Sequence, residues 1–191
     1  KVLKEAGPHV ICKGEGIYVY DNSDTKFIEG MSGLWCASLG FDNKDLVDAA
    51  TKQMNKLPFY HSFAGKVPEV AAHLSEKLIS IAPKGLDKVF FCNSGSEAND
   101  TAIKVVWYYQ NALGRPEKRK IISRKRGYHG VTMVAGSLTG LPYAQDGFGL
   151  PLDFVRHTSC PHYFIEKLES ESEQDFVNRL LKNLEELILE E

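Results

Sequence analysis

The period of the hydrophobic and polar positions changes along this chain, and each change marks an element. Residues 16–29, GIYVYDNSDTKFIE, alternate around a central DNSD, the pattern of a β-hairpin closed by a turn. A loop bearing Gly, Ser and Trp follows at 30–40. Leu46, Val47, Ala50, Met54 and Leu57 then recur at helical spacing, which predicts an amphipathic helix capped by Asp42 and ended by Pro58. The next loop, FYHSFAGK at 59–66, is unusually aromatic. A second helix is expected to start near Pro68, with Val70, Ala71, Leu74 and Leu78 facing inward.

Beyond this point short apolar runs replace alternation. KVFFC at 88–92 reads as a strand buried on both faces. It leads into NSGSEANDTAIKVVWYYQNA, a helix with a glycine near its start. Lys120–Arg124 and Leu152–Arg156 are the next predicted strands, whereas 132–138 is apolar without a deciding period. From about Ser172, residues Phe176, Leu180, Leu181, Leu184, Leu187 and Ile188 share one side of a last helix. Strands alternating with helices imply an α/β protein with a mostly parallel sheet. The expected division is a small N-terminal segment, 1–67, and the start of a larger α/β domain, 68–191.

Composition removes several function classes. Hydrophobic residues are 43% and charged residues 25% of the 191 positions, as in soluble globular proteins. A formal charge of −2 gives no basis for holding a nucleic-acid backbone. The densest basic stretch, Lys118–Arg126, is interrupted by Ile121 and Ile122 and reads as charge flanking a strand. No apolar run is long enough to cross a bilayer, and KVLKEAGPHV lacks the features of a secretory signal. Cys12, Cys36, Cys92 and Cys160 form no C-x-x-C pair, which argues against a zinc site. Cys92, inside an apolar run, is expected to be a buried thiol, and the expected compartment is the reducing cytoplasm.

Candidate chemistry falls in two places. Phe91-Cys92-Asn93-Ser94-Gly95-Ser96-Glu97-Ala98 takes a strand through a small turn straight into a helix. Such a start presents free backbone N–H groups at the positive end of the helix dipole, which suits a phosphate. Gly95 lets a ligand come close to the backbone, and Ser94 and Ser96 add hydroxyl donors. Ser94-x-x-Glu97 is also a capping box, which needs no ligand, and the two readings are compatible. The second place is Arg126-Gly127-Tyr128-His129-Gly130, after a predicted strand. An aromatic side chain between glycines at that end of a parallel sheet suits stacking on a flat ligand. The competing reading is a turn with Tyr128 packed on the core and His129 bonded to the backbone.

Together, FFCNSGSEANDTAIK, RKRGYHG, GLWCASLGF and LPFYHSF resemble the class III aminotransferases, and specifically their omega-aminotransferase branch. The resemblance runs from Gly14 to about Pro161. It implies a type I pyridoxal-phosphate transferase fold, present in part, with pyridoxal 5'-phosphate as cofactor. By position, it implies that Ser94, Gly95 and Ser96 bind the cofactor phosphate, that Tyr128 stacks on the ring and that His129 lies beside it. Leu34, Trp35, Phe59, Tyr60 and Phe63 would line the substrate pocket, the last three also reaching a homodimer interface. The family's Schiff-base lysine, its aspartate for the ring nitrogen, a threonine reaching the partner's phosphate and a substrate-binding arginine have no counterpart here, so no catalytic residue is assigned. The implied activity of the whole enzyme is transfer of an amino group from an amine or omega-amino acid to a keto acid such as pyruvate. The 191 residues alone are expected to be inactive. Alternatives are a non-catalytic module that keeps the cofactor cup, or another class III member such as an aminomutase or decarboxylase. A generic nucleotide-binding domain is weakened by the missing G-x-G-x-x-G and G-x-x-x-x-G-K-[ST] patterns.

Overall fold

The alternation in residues 16–29 becomes two strands of an antiparallel meander, and an unexpected strand precedes them. Strand β1 (Ile11–Glu15) pairs with β2 (Tyr18–Asp21), which pairs with β3 (Lys26–Ile28). The computed structural model describes residues 4, 5 and 7–191. Asp21 closes the β2–β3 turn, its Oδ1 accepting from the amides of Ser23 and Thr25 at 2.8 and 2.9 Å. These bonds, Thr25 first, hold its carboxyl below the usual carboxylate range.

Helix α1 (Lys44–Lys56) is capped by Asn43, whose Oδ1 accepts from Leu46 N at 3.1 Å. The cap expected at Asp42 therefore lies one residue later. Asp42 is used elsewhere: its Oδ1 accepts from Gly16 N, 26 residues back, at 2.8 Å. Helix α2 (Glu69–Ile81) follows Pro68, as predicted, and Lys56 pairs with Glu69. The chain divides into two compact units, Lys1–Lys88 and Val89–Glu191. Helix α2 thus groups with the first unit, and not with the residues after 88 as the division at 67 expects.

The second unit contains α3 (Gly95–Ala112), β4 (Ile121–Arg124), α4 (Met133–Leu138), β5 (Val155–Thr158), α5 (Tyr163–Glu166) and α6 (Glu173–Glu190). Strands β4 and β5 are parallel, with Ile121 opposite Val155 and Arg124 opposite Thr158. Ile103, Leu138 and Val155 form the buried centre, flanked by Trp107, Ile121, Val134 and Phe154. Trp107 meets Phe154 edge to face, with ring centroids 4.9 Å apart. The undecided stretch 132–138 is helical because Thr132 caps it and Asp100 of α3 binds its first turn.

Two strand expectations are corrected. The strand placed at Leu152–Arg156 lies at Val155–Thr158, because Leu152 belongs to a turn: its carbonyl accepts from Val155 N and its amide donates to Ser137 Oγ. KVFFC forms no strand, and Phe90 and Phe91 are exposed. A parallel strand exists only through bonds to a neighbour, and no described residue supplies them. Cys92 is half-buried where a buried thiol was expected, and all four cysteines are free.

Ser172 caps α6, and the turn before it is held by Arg179. The guanidinium donates to both carboxylate oxygens of Glu171, at 2.7 and 2.8 Å, and to Glu166 O at 3.0 Å. Hydrogen bonding from Arg179 lowers the Glu171 carboxyl to about 2. Because the folded value is depressed, the stabilisation is complete above the ordinary value of 4.5 and is lost as pH falls towards about 2. In the complete protein, 13C-glutamate NMR should show one carboxyl titrating near that low value, and Arg179→Ala should return it towards the ordinary range. No titration change in the variant would refute the assignment.

Candidate functional site

The start of α3 has the cap that S-x-x-E predicts. Ser94 is extended, its Oγ accepts from Glu97 N at 3.1 Å, and the Glu97 carboxylate reaches back to Asn93 N at 2.8 Å. Ala98 N is satisfied by Ser94 O. The amides of Gly95 and Ser96 have no acceptor among the described residues. A Cβ built on Gly95 would meet nothing within 4 Å, and Gly95 and Ser96 both line open space. Cap and anion-binding end therefore coexist: the cap consumes Glu97 N and Asn93 N and leaves the first two helical N–H groups free. Ser94 and Ser96 hydroxyls both act as acceptors, from Glu97 N and Val131 N, and each keeps its own hydrogen to donate.

The second candidate segment leaves β4 through a tight backbone crossing. Arg126 N donates to Gly140 O at 2.7 Å and Gly140 N donates to Gly127 O at 2.8 Å. A side chain on Gly140 would overlap Arg124 O and lie 2.7 Å from Lys125 Cα, so only glycine permits the crossing. The loop then turns onto α3. Val131 N donates to Ser96 Oγ at 3.0 Å, and Asn99 Nδ2 donates to His129 O at 2.6 Å.

One open depression of about 430 Å³ results, lined by Ser94, Gly95, Ser96, Asn99, Tyr128, His129 and Gly130. All five residues proposed for the cofactor thus converge, although Tyr128 stands 32 positions after Ser96 in the sequence. Tyr128 is 63% exposed, so its ring is not packed on the core of the described residues. Larger depressions, of about 500 and 550 Å³, contain none of the five. Asn99 and Gly130 join the site without having been assigned to it from the sequence. Asn99 was legible in principle, since it stands one helical turn after Ser96.

The five pocket candidates belong to the first unit. Leu34 and Trp35 sit in a one-turn segment, Ser32–Trp35, with φ of 50° to 70° at all four residues. Left-handed backbone costs non-glycine residues about 1–2 kcal/mol each. Glu29 holds it, accepting from Met31 N at 3.0 Å and Gly33 N at 2.7 Å. Both side chains project outward, Trp35 with 83% exposure. Phe59 and Phe63 are equally open, and Tyr60 stacks on His61 with centroids 4.6 Å apart.

A helix end with free amides and an exposed tyrosine thus line one open depression. The chain belongs to the class III aminotransferases: the family model matches residues 3–191. It is 52% identical over 188 residues to gamma aminobutyrate transaminase 1, mitochondrial, of Solanum lycopersicum, covering 98% of this chain and 36% of that one. It is 52% identical over 185 residues to the vanillin aminotransferase of Capsicum chinense, covering 96% of this chain and 40% of that one. Among solved structures, the omega transaminase of Pseudomonas jessenii in complex with PMP superposes with a TM-score of 0.95 at 54% identity, over 98% of this chain and 42% of that chain. The fold is therefore that of the pyridoxal-phosphate-dependent transaminases, in part, and pyridoxal phosphate is the cofactor of the family. The chain spans about 36 to 42% of the length of these relatives. The residues present fit the cofactor, because the free amides of Gly95 and Ser96 and the open space before them match its phosphate.

Proposed function

We propose that the complete protein is a transaminase that passes an amino group from an amine or omega-amino acid to a keto acid such as pyruvate. The carrying observation is the convergence of Ser94, Gly95, Ser96, Tyr128 and His129 on one depression. The relatives support the substrate class, being named for gamma-aminobutyrate, vanillin and omega-transaminase activities. When bound, pyridoxal phosphate supplies an electron sink for breaking and making bonds to nitrogen.

The residues of this chain bind and orient. The Gly95 and Ser96 amides, with the Ser94 and Ser96 hydroxyls, would hold the phosphate dianion at the positive end of α3. The Tyr128 ring would lie against the flat heterocycle and keep water from that face, with His129 beside it. Leu34, Trp35, Phe59, Tyr60 and Phe63 give an apolar wall suited to the carbon skeleton of an amine. The lysine and acidic partner of the chemistry are assigned to none of these 191 residues, so the segment alone is proposed to be inactive. We place the working protein in a homodimer, which would cover the exposed aromatic residues, and in a reducing compartment such as the cytoplasm.

The test uses the complete protein with pyridoxal phosphate, 4-aminobutyrate or an aryl-alkyl amine, and pyruvate. Amine-dependent formation of alanine is expected. Its absence with all donors and with alternative keto acids would refute the transaminase reading. Gly95→Val should fill the space before the free amides while leaving the Ser94–Glu97 cap intact. Pyridoxal phosphate affinity should fall about tenfold or more, since a lost charge-assisted bond contributes about 1.5–3 kcal/mol. Unchanged affinity would mean that the helix end is a cap and nothing more.

A further inference from the structure

Ser96, Asn99 and Asp100 stand at i, i+3 and i+4 of α3 and so share one face of the helix. Each grips a different point of the loop after β4. Ser96 Oγ accepts from Val131 N, and Asn99 Nδ2 donates to His129 O. Asp100 Oδ1 accepts from the Thr132 hydroxyl at 2.8 Å and from Ala135 N at 3.0 Å. On the other side the buried Thr139 closes the loop, its Oγ1 accepting from His129 N at 2.9 Å and donating to Gly130 O at 3.1 Å. Tyr128 makes no side-chain hydrogen bond among the described residues. Its ring is therefore placed by the backbone on either side of it, and that backbone is tied to the helix whose first turn forms the anion cup.

We propose that Asn99 and Asp100 are positioning residues that set where the Tyr128 ring lies relative to the phosphate-binding end of α3. The inference rests on the cofactor reading above. Neither residue acts on reacting atoms. They act through the loop: helix α3 carries the cup at its first turn and, one turn later, the side chains that hold the stacking residue in register with it. A ligand joining a phosphate to a flat ring needs both parts at a fixed separation, and rigid attachment to one helix provides that.

The test uses the complete protein with Asn99→Ala, Asp100→Ala and Asp100→Asn. Three quantities are read: the dissociation constant for pyridoxal phosphate, the inhibition constant of inorganic phosphate competing for the cup, and the circular dichroism of the bound cofactor's absorption band. Asn99→Ala and Asp100→Ala should weaken pyridoxal phosphate binding about tenfold, the upper range for loss of an aromatic contact. The dichroic band should change shape, because it reports the ring's surroundings. Inorganic phosphate should bind as in the wild type. Asp100→Asn keeps an acceptor oxygen for Thr132 and Ala135 and should match the wild type. Equal losses for phosphate and cofactor, or wild-type affinity with an unchanged band, would overturn the proposal. A wild-type protein that takes up no pyridoxal phosphate would overturn the cofactor reading instead. Should Asp100→Ala fail to fold, Asn99→Ala decides, since it removes a single bond to His129 O and leaves the Asp100 contacts to Thr132 and Ala135 in place.

Discussion

Gly130→Ala is expected to lower the affinity of the complete protein for pyridoxal phosphate about a hundredfold. Gly130 is buried with φ at 132°, and an added Cβ would overlap Ser96 Oγ while lying 2.8 Å from Ala135 Cβ and 3.0 Å from Ser96 Cα. Two of these neighbours are not ends of flexible side chains, so the loop itself must move. The strained backbone costs about 1–3 kcal/mol and overpacking a similar amount. A displaced loop breaks the Val131–Ser96 bond and carries Tyr128 and His129 away from the cup. If about 3 kcal/mol separates the binding-competent loop from a displaced one, apparent affinity falls by the corresponding two orders of magnitude. Binding within about threefold of wild type, measured by cofactor absorbance, would show that loop and cup are not coupled.

The second large effect concerns the 191 residues expressed alone, which we expect to self-associate and to melt without a cooperative transition. Their accessible surface is 15227 Å². A folded monomer of this size exposes about 9,100 Å², and two separately folded halves together about 11,000 Å². Even the second comparison leaves roughly 4,000 Å² that folded proteins ordinarily bury. Much of it is apolar: Phe90, Phe164, Tyr108 and Leu189 are each more than three-quarters exposed. Patches of that kind mark surfaces that other protein covers. Among the described residues β4 and β5 make a sheet of only two strands, which favours edge-to-edge association. Light scattering and calorimetry on the isolated polypeptide check this. A monomeric species with a single sharp melting transition would refute it.

The elements that the sequence made legible are those whose signal is local. Ser94-x-x-Glu97 forms its cap because both partners lie within one helical turn. Helices α1, α2 and α6 follow their apolar periods, and the turn after Asp21 forms where Asp, Asn and Ser cluster. The errors fall where a long-range partner decides. Asp42 had the composition of a cap but is drawn to Gly16, and Leu152 had the composition of a strand but is drawn to Ser137. For residues 132–138 the period decided nothing, and contact with Asp100 made them helical.

The same division holds for the candidate site. The residue types that suit a phosphate and a flat ring stand in two short stretches, which alone left a plain cap and a packed turn open, and the resemblance to the class III aminotransferases singles out Ser94, Gly95, Ser96, Tyr128 and His129. Their convergence on one depression depends on hydrogen bonds across some thirty residues and on glycines at 130 and 140 that let backbones touch. Local chemistry is written in neighbouring residues because capping, turn formation and helical spacing act over a few positions. The distance between cup and stacking ring is set by tertiary contacts, since only packing of α3 against the loop after β4 brings those two stretches together.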